Sequence, residues 1–419
     1  MTGGAMNEDH KPVYLDSERC NGCVNCMKRC PTEAIRVRDG KATIMYERCI
    51  GCGECVRACP NHAKKEFFDP LGVIWKYRYK VAVPSPSLYV QFKNVYDVNY
   101  VLTALKRLGF DDVTEGAKGA EYVSAATELY LKTKHAQRKP VISSACPAVV
   151  NLITMRFEHL IDNLSPVQQP EEVAVNMARA KAQMETGLPD SDIGVFVITQ
   201  CAANVTGLLN SVNAKVDGVL SVKDVYFPLL NELGKLSAYD VEKLAEAGSS
   251  GVGWGTSNGE AKGLKTDNYL SADGMENVIS VLGDIEKGRL SGIDFAELNA
   301  CTLGCVGGTM NIESPFLAAT RLRKLCAGMN DESVIVEDYS AYKRKEPYTC
   351  NNVFKLDDDM IVAMRKTLRV KSIYAKLPGI NCGSCGAPSC MAFAEDVVRG
   401  LDVKCRYTEA YDDGKRDSD

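Results

Sequence analysis

Long apolar runs, a large net charge and a secretory leader are all missing from this sequence. No apolar run approaches the roughly 20 residues that a membrane-spanning helix needs, and the amino terminus does not have the pattern of a signal peptide. The formal net charge of −4 over 419 residues gives no footprint for nucleic-acid binding. We therefore expect no membrane and no nucleic acid among the partners of this chain.

Fingerprints for nucleotide cofactors are also missing. The glycine-rich segment 248–259, GSSGVGWGTSNG, lacks the Lys-Ser/Thr end of a P-loop, and no dinucleotide-binding fingerprint occurs elsewhere. We therefore expect neither NAD nor flavin. The segment is expected to form a closely packed wall of a cysteine site, with a plain surface loop as the alternative.

Cysteine, in contrast, is abundant, with 18 residues in the chain. A chain of this length does not suit a disulfide scaffold, which belongs to short secreted domains. The cysteines therefore predict metal binding in a reducing, cytoplasmic compartment. The length favours two or three domains. After Lys80, helix and strand patterns alternate as far as 241–247, which predicts α/β layers (α+β overall) whose strand-end loops supply ligands.

The amino-terminal region repeats one cysteine pattern, C-x2-C-x2-C-x3-C followed by proline. The first copy is Cys20, Cys23, Cys26 and Cys30, and the second is Cys49, Cys52, Cys55 and Cys59. This is the run of bacterial ferredoxins, in which the fourth cysteine of each copy serves the other cluster. We expect two 4Fe-4S clusters that transfer electrons, with structural zinc as the alternative. Between the copies, Asp39-Gly40 predicts the turn of a hairpin.

A third group of cysteines lies near the carboxyl terminus. Its members are Cys382, Cys385, Cys390 and Cys405, with the spacing C-x2-C-x4-C-x14-C. A helix over 391–400 would bring the last cysteine back to the other three. We expect a third 4Fe-4S cluster here, and structural zinc is again the alternative. Cys326 and Cys350 are left over and are interpreted as core or incidental thiols.

Four isolated cysteines occupy the central region. Cys146 and Cys201 each end a short apolar run and are predicted at strand ends. Cys301 and Cys305 are four residues apart, so a helix would place both thiolates on one face. The following glycine pair would let the backbone approach a bulky group that is not protein. Four thiolates suffice to hold a cubane cluster, and the alternative is four unrelated core cysteines.

Taken together, the ferredoxin-like module and the motifs SSACP, TQCAAN and ELNACTLGCVGG resemble the iron-only (FeFe) hydrogenases over about residues 13–404. The carboxyl-terminal motif resembles the small 4Fe-4S domain of their sensory, group D-like members. The resemblance implies a ferredoxin-like domain over 1–78, a two-lobed hydrogenase domain with sheets flanked by helices over 79–362, and a 4Fe-4S domain over 363–419.

The resemblance also implies a cofactor for the central cysteines. Cys146, Cys201, Cys301 and Cys305 would ligate a 4Fe-4S cubane. Cys305 would in addition bridge to a diiron subcluster that carries CO, cyanide and an azadithiolate, with Gly307 and Gly308 beside this open bridging position.

The sequence departs from the family motif at the proton relay. Family members have a second cysteine before the one that matches Cys146, and here that position is Ala145. The first glutamate of the relay is replaced by Ala125, whereas Ser165 and Glu128 keep their positions. Because a relay needs titratable groups within hydrogen-bond reach, two of its four positions are lost.

Protons are therefore expected to take another route to the site. The candidates are Glu297, four residues before Cys301, then Glu260, which follows the glycine-rich segment, and thirdly Glu171. The alternative is that these are ordinary solvated carboxylates.

Further departures surround the expected diiron site. Asn204 replaces a lysine that hydrogen-bonds a cyanide in the family, and its amide keeps a donor but loses the charge. Thr199 and Gln200 replace a Met-Pro pair, and Glu171 stands where a glutamine is usual. Asn299 replaces a methionine, which makes the surroundings more polar and is expected to shift the cluster potential.

The expected function is therefore a slow hydrogenase that interconverts H2 with two protons and two electrons and is suited to sensing. Expected partners are hydrogen and protons, a ferredoxin-like redox protein, the hydrogenase maturases and a signalling kinase or phosphatase. One alternative is a regulatory protein that reports hydrogen to its partner. The other is an iron–sulfur electron-transfer or cluster-handling protein with a hydrogenase-like fold but no diiron subcluster.

Overall fold

The structure is a computed structural model that describes residues 11–133, 138–264, 266–331, 334–401 and 403–405. The strands in these ranges are β1 Val13–Leu15, β2 Ile35–Arg38, β3 Lys41–Ile44, β4 Lys64–Glu66, β5 Tyr79–Pro84, β6 Asp112–Val113, β7 Val141–Ile142, β8 Ile193–Thr199, β9 Gly218–Ser221, β10 Tyr269–Asp273 and β11 Phe295–Asn299. The α-helices are α1 Asn25–Arg29, α2 Glu54–Arg57, α3 Pro86–Tyr89, α4 Val98–Leu108, α5 Gly116–Leu131, α6 Pro147–Arg156, α7 Pro170–Thr186, α8 Ala202–Leu209, α9 Val222–Leu233, α10 Ser249–Gly253, α11 Gly259–Gly263, α12 Met275–Glu286, α13 Pro315–Ala327, α14 Met360–Ala375 and α15 Cys390–Val398.

A four-stranded parallel sheet with the order β6-β5-β8-β9 forms the first lobe of the central region. Strand β8 is buried at every position, as expected of a central parallel strand that is covered on both faces. Phe196 and Ile198 pack into one core with α4 and α9, and Val195 and Val197 pack into another with α7. Alternation with period two thus divides the strand between two apolar layers.

A three-stranded parallel sheet with the order β10-β11-β7 forms the second lobe. Ile142 of β7 and Ala296 and Leu298 of β11 pack into a core with α6 and α12. The chain therefore has the expected mixed α/β fold, with two parallel sheets flanked by helices. In the described residues, no helix is both long and apolar enough to cross a membrane.

The amino-terminal region is small and antiparallel. Strands β2 and β3 form the predicted hairpin, and β1 pairs with β4. Asp39 and Gly40 connect the hairpin with φ angles of 51° and 71°. Two consecutive positive φ angles match a primed two-residue turn, for which Asp-Gly is a preferred sequence.

The carboxyl-terminal region consists of α14 and α15, whose apolar faces share Val370, Ile373 and Ala394. The predicted helix over 391–400 is α15, which begins one residue earlier, at Cys390, and ends at Val398. The proposed boundary between residues 362 and 363 falls inside α14, which begins at Met360.

The segment 241–247 is not a regular element, contrary to the expectation from its pattern. Side chains of the neighbouring helices satisfy its backbone N–H groups in place of a helix ladder. The Asn99 side-chain oxygen accepts from Leu244 and Ala245, and the Glu115 carboxylate accepts from Glu246 and Ala247. Such long-range capping is not visible in a local sequence pattern.

Candidate functional site

A partly enclosed cavity, whose empty space of about 790 Å³ includes its opening to solvent, lies where the carboxyl ends of strands from both lobes meet. Cys146, Cys201, Cys301 and Cys305 all line it, so the structure brings the four isolated cysteines together. Cys201 follows β8 and precedes α8, and Cys146 lies between β7 and the start of α6. The strand-end prediction is thus correct for Cys201, while Cys146 is separated from its strand by three residues.

The expected helix through Cys301 and Cys305 is wrong. Cys301 lies in a bend after β11, and Cys305 lies in a short 3₁₀ helix, Gly304–Gly307. Leu303 has a φ of 63° and Gly304 a φ of 81°, which turn the chain back between the two cysteines. Both thiols reach the cavity through this turn and do not share a helix face.

The glycine pair after these cysteines makes close contacts with protein backbone, and its approach to a bulky group that is not protein stays a prediction. A Cβ atom on Gly307 would lie 2.0 Å from the carbonyl oxygen of Thr302, and one on Gly308 would lie 2.5 Å from that of Gln200. Gly308 lines the cavity and packs the turn against the backbone beside Cys201. The glycines therefore let two cysteine-bearing segments come close to each other.

The glycine-rich segment forms a wall of the cavity, as expected. Trp254 and Gly255 line it. The Val306 N–H donates to the Gly255 carbonyl at 2.9 Å, and the Ser257 N–H donates to the Leu303 carbonyl at 3.0 Å. These bonds fix the segment against the turn that carries Cys305.

The four thiols of the cavity are in surroundings that suit metal ligation. Burial raises the pKa of Cys146 to about 11, and it also raises the pKa of Cys201 and of Cys305. The Glu171 carboxylate raises the pKa of Cys305 further. Since cysteine ligates a metal as the thiolate, a cationic centre is what would keep this group of buried thiols ionised.

Glu260 and Glu297 both line the cavity and are almost fully buried. The Glu297 carboxylate accepts from the backbone N–H groups of Asn258 at 2.7 Å and Ala261 at 2.9 Å, and from the Asn299 amide at 2.8 Å. The Glu260 carboxylate accepts from the Ser143 hydroxyl. Neither carboxyl is a solvated surface group.

Burial and the adjacent Glu297 charge raise the pKa of Glu260 to about 8, and the Ser143 hydrogen bond partly opposes this. Burial also raises the pKa of Glu297, while its backbone hydrogen bonds act in the opposite direction. A carboxyl that titrates near neutral pH beside a second carboxyl is suited to general acid–base work.

Of the other relay positions, only Ala145 lines the cavity. Glu128 accepts from Lys132 at 2.6 Å on the outer side of α5. Ser165 is buried and binds locally, where its hydroxyl accepts from the Val167 N–H at 3.4 Å. Neither Glu128 nor Ser165 is among the residues that line the cavity.

Asn204 and Glu171 line the cavity next to each other. The Asn204 amide nitrogen donates to Glu171 at 3.0 Å and to the Thr199 hydroxyl at 3.4 Å. The Asn204 side-chain oxygen is buried and has no hydrogen-bond partner among the described residues. The donor expected to hold a cyanide is therefore bound to Glu171 in this arrangement. Burial raises the pKa of Glu171.

The eight amino-terminal cysteines form two groups that cross between the sequence repeats. Cys30 lines a cavity with about 360 Å³ of empty space together with Cys49, Cys52 and Cys55. In the other group, burial raises the pKa of Cys26, which also lies within the electrostatic reach of Cys23, Cys59 and Cys20. This crossed arrangement is the one that the ferredoxin pattern predicts.

The carboxyl-terminal cysteines surround a third cavity, with about 290 Å³ of empty space. Its cysteine lining consists of Cys382, Cys385, Cys390 and Cys405. Within the described ranges, no three His, Cys, Asp or Glu side chains come close enough to hold a single metal ion. Of the remaining thiols, Cys326 packs against the first-lobe core, whereas Cys350 is exposed and is not a core residue.

Sequence reasoning missed Arg57, which links the ferredoxin-like region to the central cavity. Its guanidinium donates to Cys301 Sγ at 3.0 Å and to the Gly307 carbonyl at 2.7 Å, while Glu54 accepts from its other end at 2.7 Å. Ser143, the partner of Glu260, was also missed. An arginine between two ferredoxin cysteines gives no sequence signal for a partner 244 positions away.

Comparisons with known proteins agree with these three regions. Residues 78–265 match the model of the iron-only hydrogenase large subunit, C-terminal domain. Residues 12–60 match a 4Fe-4S dicluster domain, and residues 377–404 match an Fe-S cluster family.

Individual relatives are distant. Iron hydrogenase 1 from Clostridium pasteurianum is 23% identical over 135 residues, which are 30% of this chain and 24% of that protein. The match thus spans about a quarter of the length of this curated relative. A HydA [FeFe]-hydrogenase from a study of stepwise H-cluster assembly is 14% identical, with a TM-score of 0.47 over 65% of this chain and 90% of that chain. A variant of HydA1 from Chlamydomonas reinhardtii is 14% identical, with a TM-score of 0.45 over 63% and 87%.

Proposed function

This chain belongs to the iron-only hydrogenase family, and from that premise we propose that it catalyses the reversible reaction H2 ⇌ 2 H⁺ + 2 e⁻. The observation that carries the proposal is the central cavity, where four cysteines and two buried carboxyls face the same space. Proton and electron routes must meet at such a site, and the ferredoxin-like region contacts it through Arg57 and Cys301.

The thiols of the cavity fit the cofactor that this activity requires. Cys146, Cys201, Cys301 and Cys305 would hold a 4Fe-4S cubane, and Cys305 would bridge to a diiron subcluster with CO, cyanide and azadithiolate. When bound, this group supplies the hydrogen chemistry, and the protein supplies ligands, orientation and proton delivery. The crossed amino-terminal groups and the carboxyl-terminal group would each hold a further 4Fe-4S cluster.

Glu260 and Glu297 would hold and pass the protons. Ala145 has no titratable group, and Glu128 lies outside the cavity lining, so the usual relay positions do not form a continuous route here. Glu260 can hold a proton near neutral pH, and the Ser143 hydroxyl beside it both donates and accepts. The backbone donors around Glu297 keep its carboxylate in one orientation.

The altered relay supports a low rate of turnover. It also supports a second candidate function, a sensory or regulatory role. Loss of one general acid–base group typically costs about 10²–10⁴-fold in rate, so a rerouted relay suits a detector of hydrogen more than bulk turnover. A ferredoxin-like redox protein, a signalling kinase or phosphatase and the hydrogenase maturases would then be the partners. We also propose a reducing, cytoplasmic location, which the cysteines in cluster-ligand spacings support.

Replacement of the buried carboxyls tests the proton route. Glu297→Gln or Glu260→Gln is expected to lower hydrogen evolution of the matured protein by about 10²-fold or more, because neither amide can relay a proton. The control is Glu128→Gln, which removes a carboxylate of α5 outside the cavity lining and is expected to keep the wild-type rate. Iron content per chain checks that each variant is fully loaded. Wild-type rates for Glu297→Gln and Glu260→Gln would remove both from the route.

The same matured protein also tests an alternative function. A matured protein that holds intact cubanes but never takes up the diiron subcluster would be an iron–sulfur electron-transfer or cluster-handling protein. The observation that keeps this reading open is Asn204, whose amide donor is bound to Glu171.

A further inference from the structure

The carboxyl-terminal cysteine loop lies directly on the ferredoxin-like region. The Lys28 ammonium, between Cys26 and Cys30, donates to the Pro388 carbonyl at 2.9 Å and also to the Asn381 carbonyl. These two carbonyls flank the loop that carries Cys382 and Cys385, and Cys390 follows two residues after Pro388. One lysine between two ferredoxin cysteines thus holds both ends of the loop.

The backbones of the carboxyl-terminal loop and the ferredoxin-like region are in direct contact. The Val37 N–H of β2 donates to the Gly386 carbonyl at 3.0 Å. Gly386 has a φ of 78°, and a Cβ atom there would lie 2.1 Å from the Val37 carbonyl oxygen. Only glycine fits this position, which lies next to Cys385.

A buried ion pair fastens the same contact. The Arg36 guanidinium donates to both oxygens of Asp396, at 2.8 and 2.9 Å, and both side chains are only 3% exposed. Arg38 also donates to Asp396, at 2.6 Å, and Arg48 pairs with Glu395 at 3.3 Å. Because a buried charge without its partner is costly, the two regions are expected to stay docked.

A second set of residues in the ferredoxin-like region contacts the central region beside the cavity. A Cβ atom on Gly53 would lie 2.6 Å from the Thr309 methyl carbon, and one on Gly51 would lie 2.9 Å from the Ala203 backbone. Cys52, between these glycines, packs into the same apolar cluster as Cys146 and Cys201. The ferredoxin-like region is therefore in contact with the carboxyl-terminal site through one set of residues and with the central region through another.

We propose that the carboxyl-terminal cysteine site is the outer end of a single line of four cluster sites and the port through which a one-electron protein donor or acceptor exchanges electrons with this chain. The proposal rests on the proposed function for the direction of electron flow. Cys382 is exposed, so this end of the line is open to a partner. For each electron, the donor is oxidised by one unit and the line is reduced by one unit, and no bond forms or breaks.

Electron paramagnetic resonance of the full-length chain tests the line, in protein that carries its iron–sulfur clusters but no diiron subcluster. Adjacent reduced clusters relax each other's spins, so the ferredoxin signals of the dithionite-reduced protein should relax fast. In the variant with Cys382→Ala and Cys385→Ala, we expect the loss of one cluster spin per chain and a slower relaxation of the signal of the amino-terminal cluster that lies nearest to this site. Ferredoxin signals that relax identically with and without the carboxyl-terminal cluster would overturn the proposal, as would zinc in that site.

Asp396→Asn tests the docking without touching a ligand. We expect the spin count of the wild type with the slow relaxation of the cysteine variant. The matched control is Asp357→Asn, which removes the 2.7 Å ion pair with Lys366 elsewhere in the carboxyl-terminal region. It should retain fast relaxation. Fast relaxation in Asp396→Asn would show that this ion pair does not hold the line together.

The port itself is tested by stopped-flow reduction, with a reduced two-cluster ferredoxin as the donor. Removal of the carboxyl-terminal cluster should abolish the fast phase in which the amino-terminal clusters become reduced. An unchanged fast phase would contradict the port. Neither measurement uses hydrogen or the diiron site, so failure of the hydrogenase proposal would be read separately, from hydrogen evolution.

Discussion

At the scale of single residues, the proposed proton route depends on Glu260 and Glu297, two buried carboxyls in unlike surroundings. Glu297 receives two backbone N–H donors and one amide donor, which favour its ionised form, whereas Glu260 has a single hydroxyl donor. The proton shared by the pair is therefore expected to reside on Glu260 at neutral pH, with Glu297 as the anion. Environments that separate the pKa values of two neighbouring carboxyls are a common way to assign acid and base roles.

The raised pKa of Glu260 predicts a pH dependence of stability. Its pKa moves from the usual 4.5 to about 8 on folding, so the folded chain holds more protons than the unfolded chain between these values. Stability should therefore fall as pH rises through this window, by up to about 1.4 kcal/mol per pH unit. Glu260→Gln should flatten this slope in thermal unfolding, and Glu128→Gln should not. Equal slopes for wild type and Glu260→Gln would contradict the assignment.

At the scale of elements, α2 ends in Arg57, which binds Cys301 in the turn after β11. A positive charge and an N–H donor at a cluster sulfur favour the reduced cluster. Arg57→Gln is therefore expected to lower the potential of the central cubane by on the order of 60 mV, the one-electron equivalent of a charged hydrogen bond of about 1.4 kcal/mol.

A redox titration of protein that lacks the diiron subcluster measures this shift directly. Arg57→Lys should restore part of the potential because it keeps the charge. Arg29→Gln is the matched control, since Arg29 pairs with the same Glu54 at 3.6 Å and, on its other side, with Glu276. A potential that is the same in Arg57→Gln and in wild type would show that the contact with Cys301 does not tune the cubane.

The sequence predicted those elements whose signals are local. The apolar run before Cys201 forms a strand, β8, as predicted, and Asp39-Gly40 predicts the hairpin because the turn needs two positive φ angles. The four-residue spacing of Cys301 and Cys305 gave a wrong prediction of a helix, because Leu303 and Gly304 turn the chain between the two cysteines. Spacing alone does not distinguish an i, i+4 helical pair from a tight turn.

Long-range partners could not be predicted from the chain. The cavity brings Glu260 and Glu297 together from separate segments, and only Glu297 stands close to a cysteine motif in sequence. Ser143 lies in the SSACP motif and Arg57 in the second cysteine run, but neither pattern reveals a partner that is 117 or 244 positions away in the sequence. The assignment of the four central cysteines to one place needed the family resemblance, since their sequence separation is large.

At the scale of the whole molecule, three regions meet in series. The carboxyl-terminal loop contacts the ferredoxin-like region through Lys28 and Arg36, and that region contacts the central cavity through Arg57. The two lobes of the central region enclose the cavity between the carboxyl ends of their strands, with the buried carboxyls among its lining residues. Under the proposed function, electrons and protons would thus reach the same site through separate sets of residues.

Infrared spectroscopy of protein matured with the diiron subcluster distinguishes a hydrogenase from an electron-transfer protein. The carbonyl and cyanide stretching region would be recorded under hydrogen and then under argon. Under the proposed function, we predict bands that appear on maturation and change between the two gases, since the cavity would then hold a diiron site that reacts with hydrogen. No such bands, in protein whose iron content matches intact cubanes, would contradict the hydrogenase assignment and leave an electron-transfer protein.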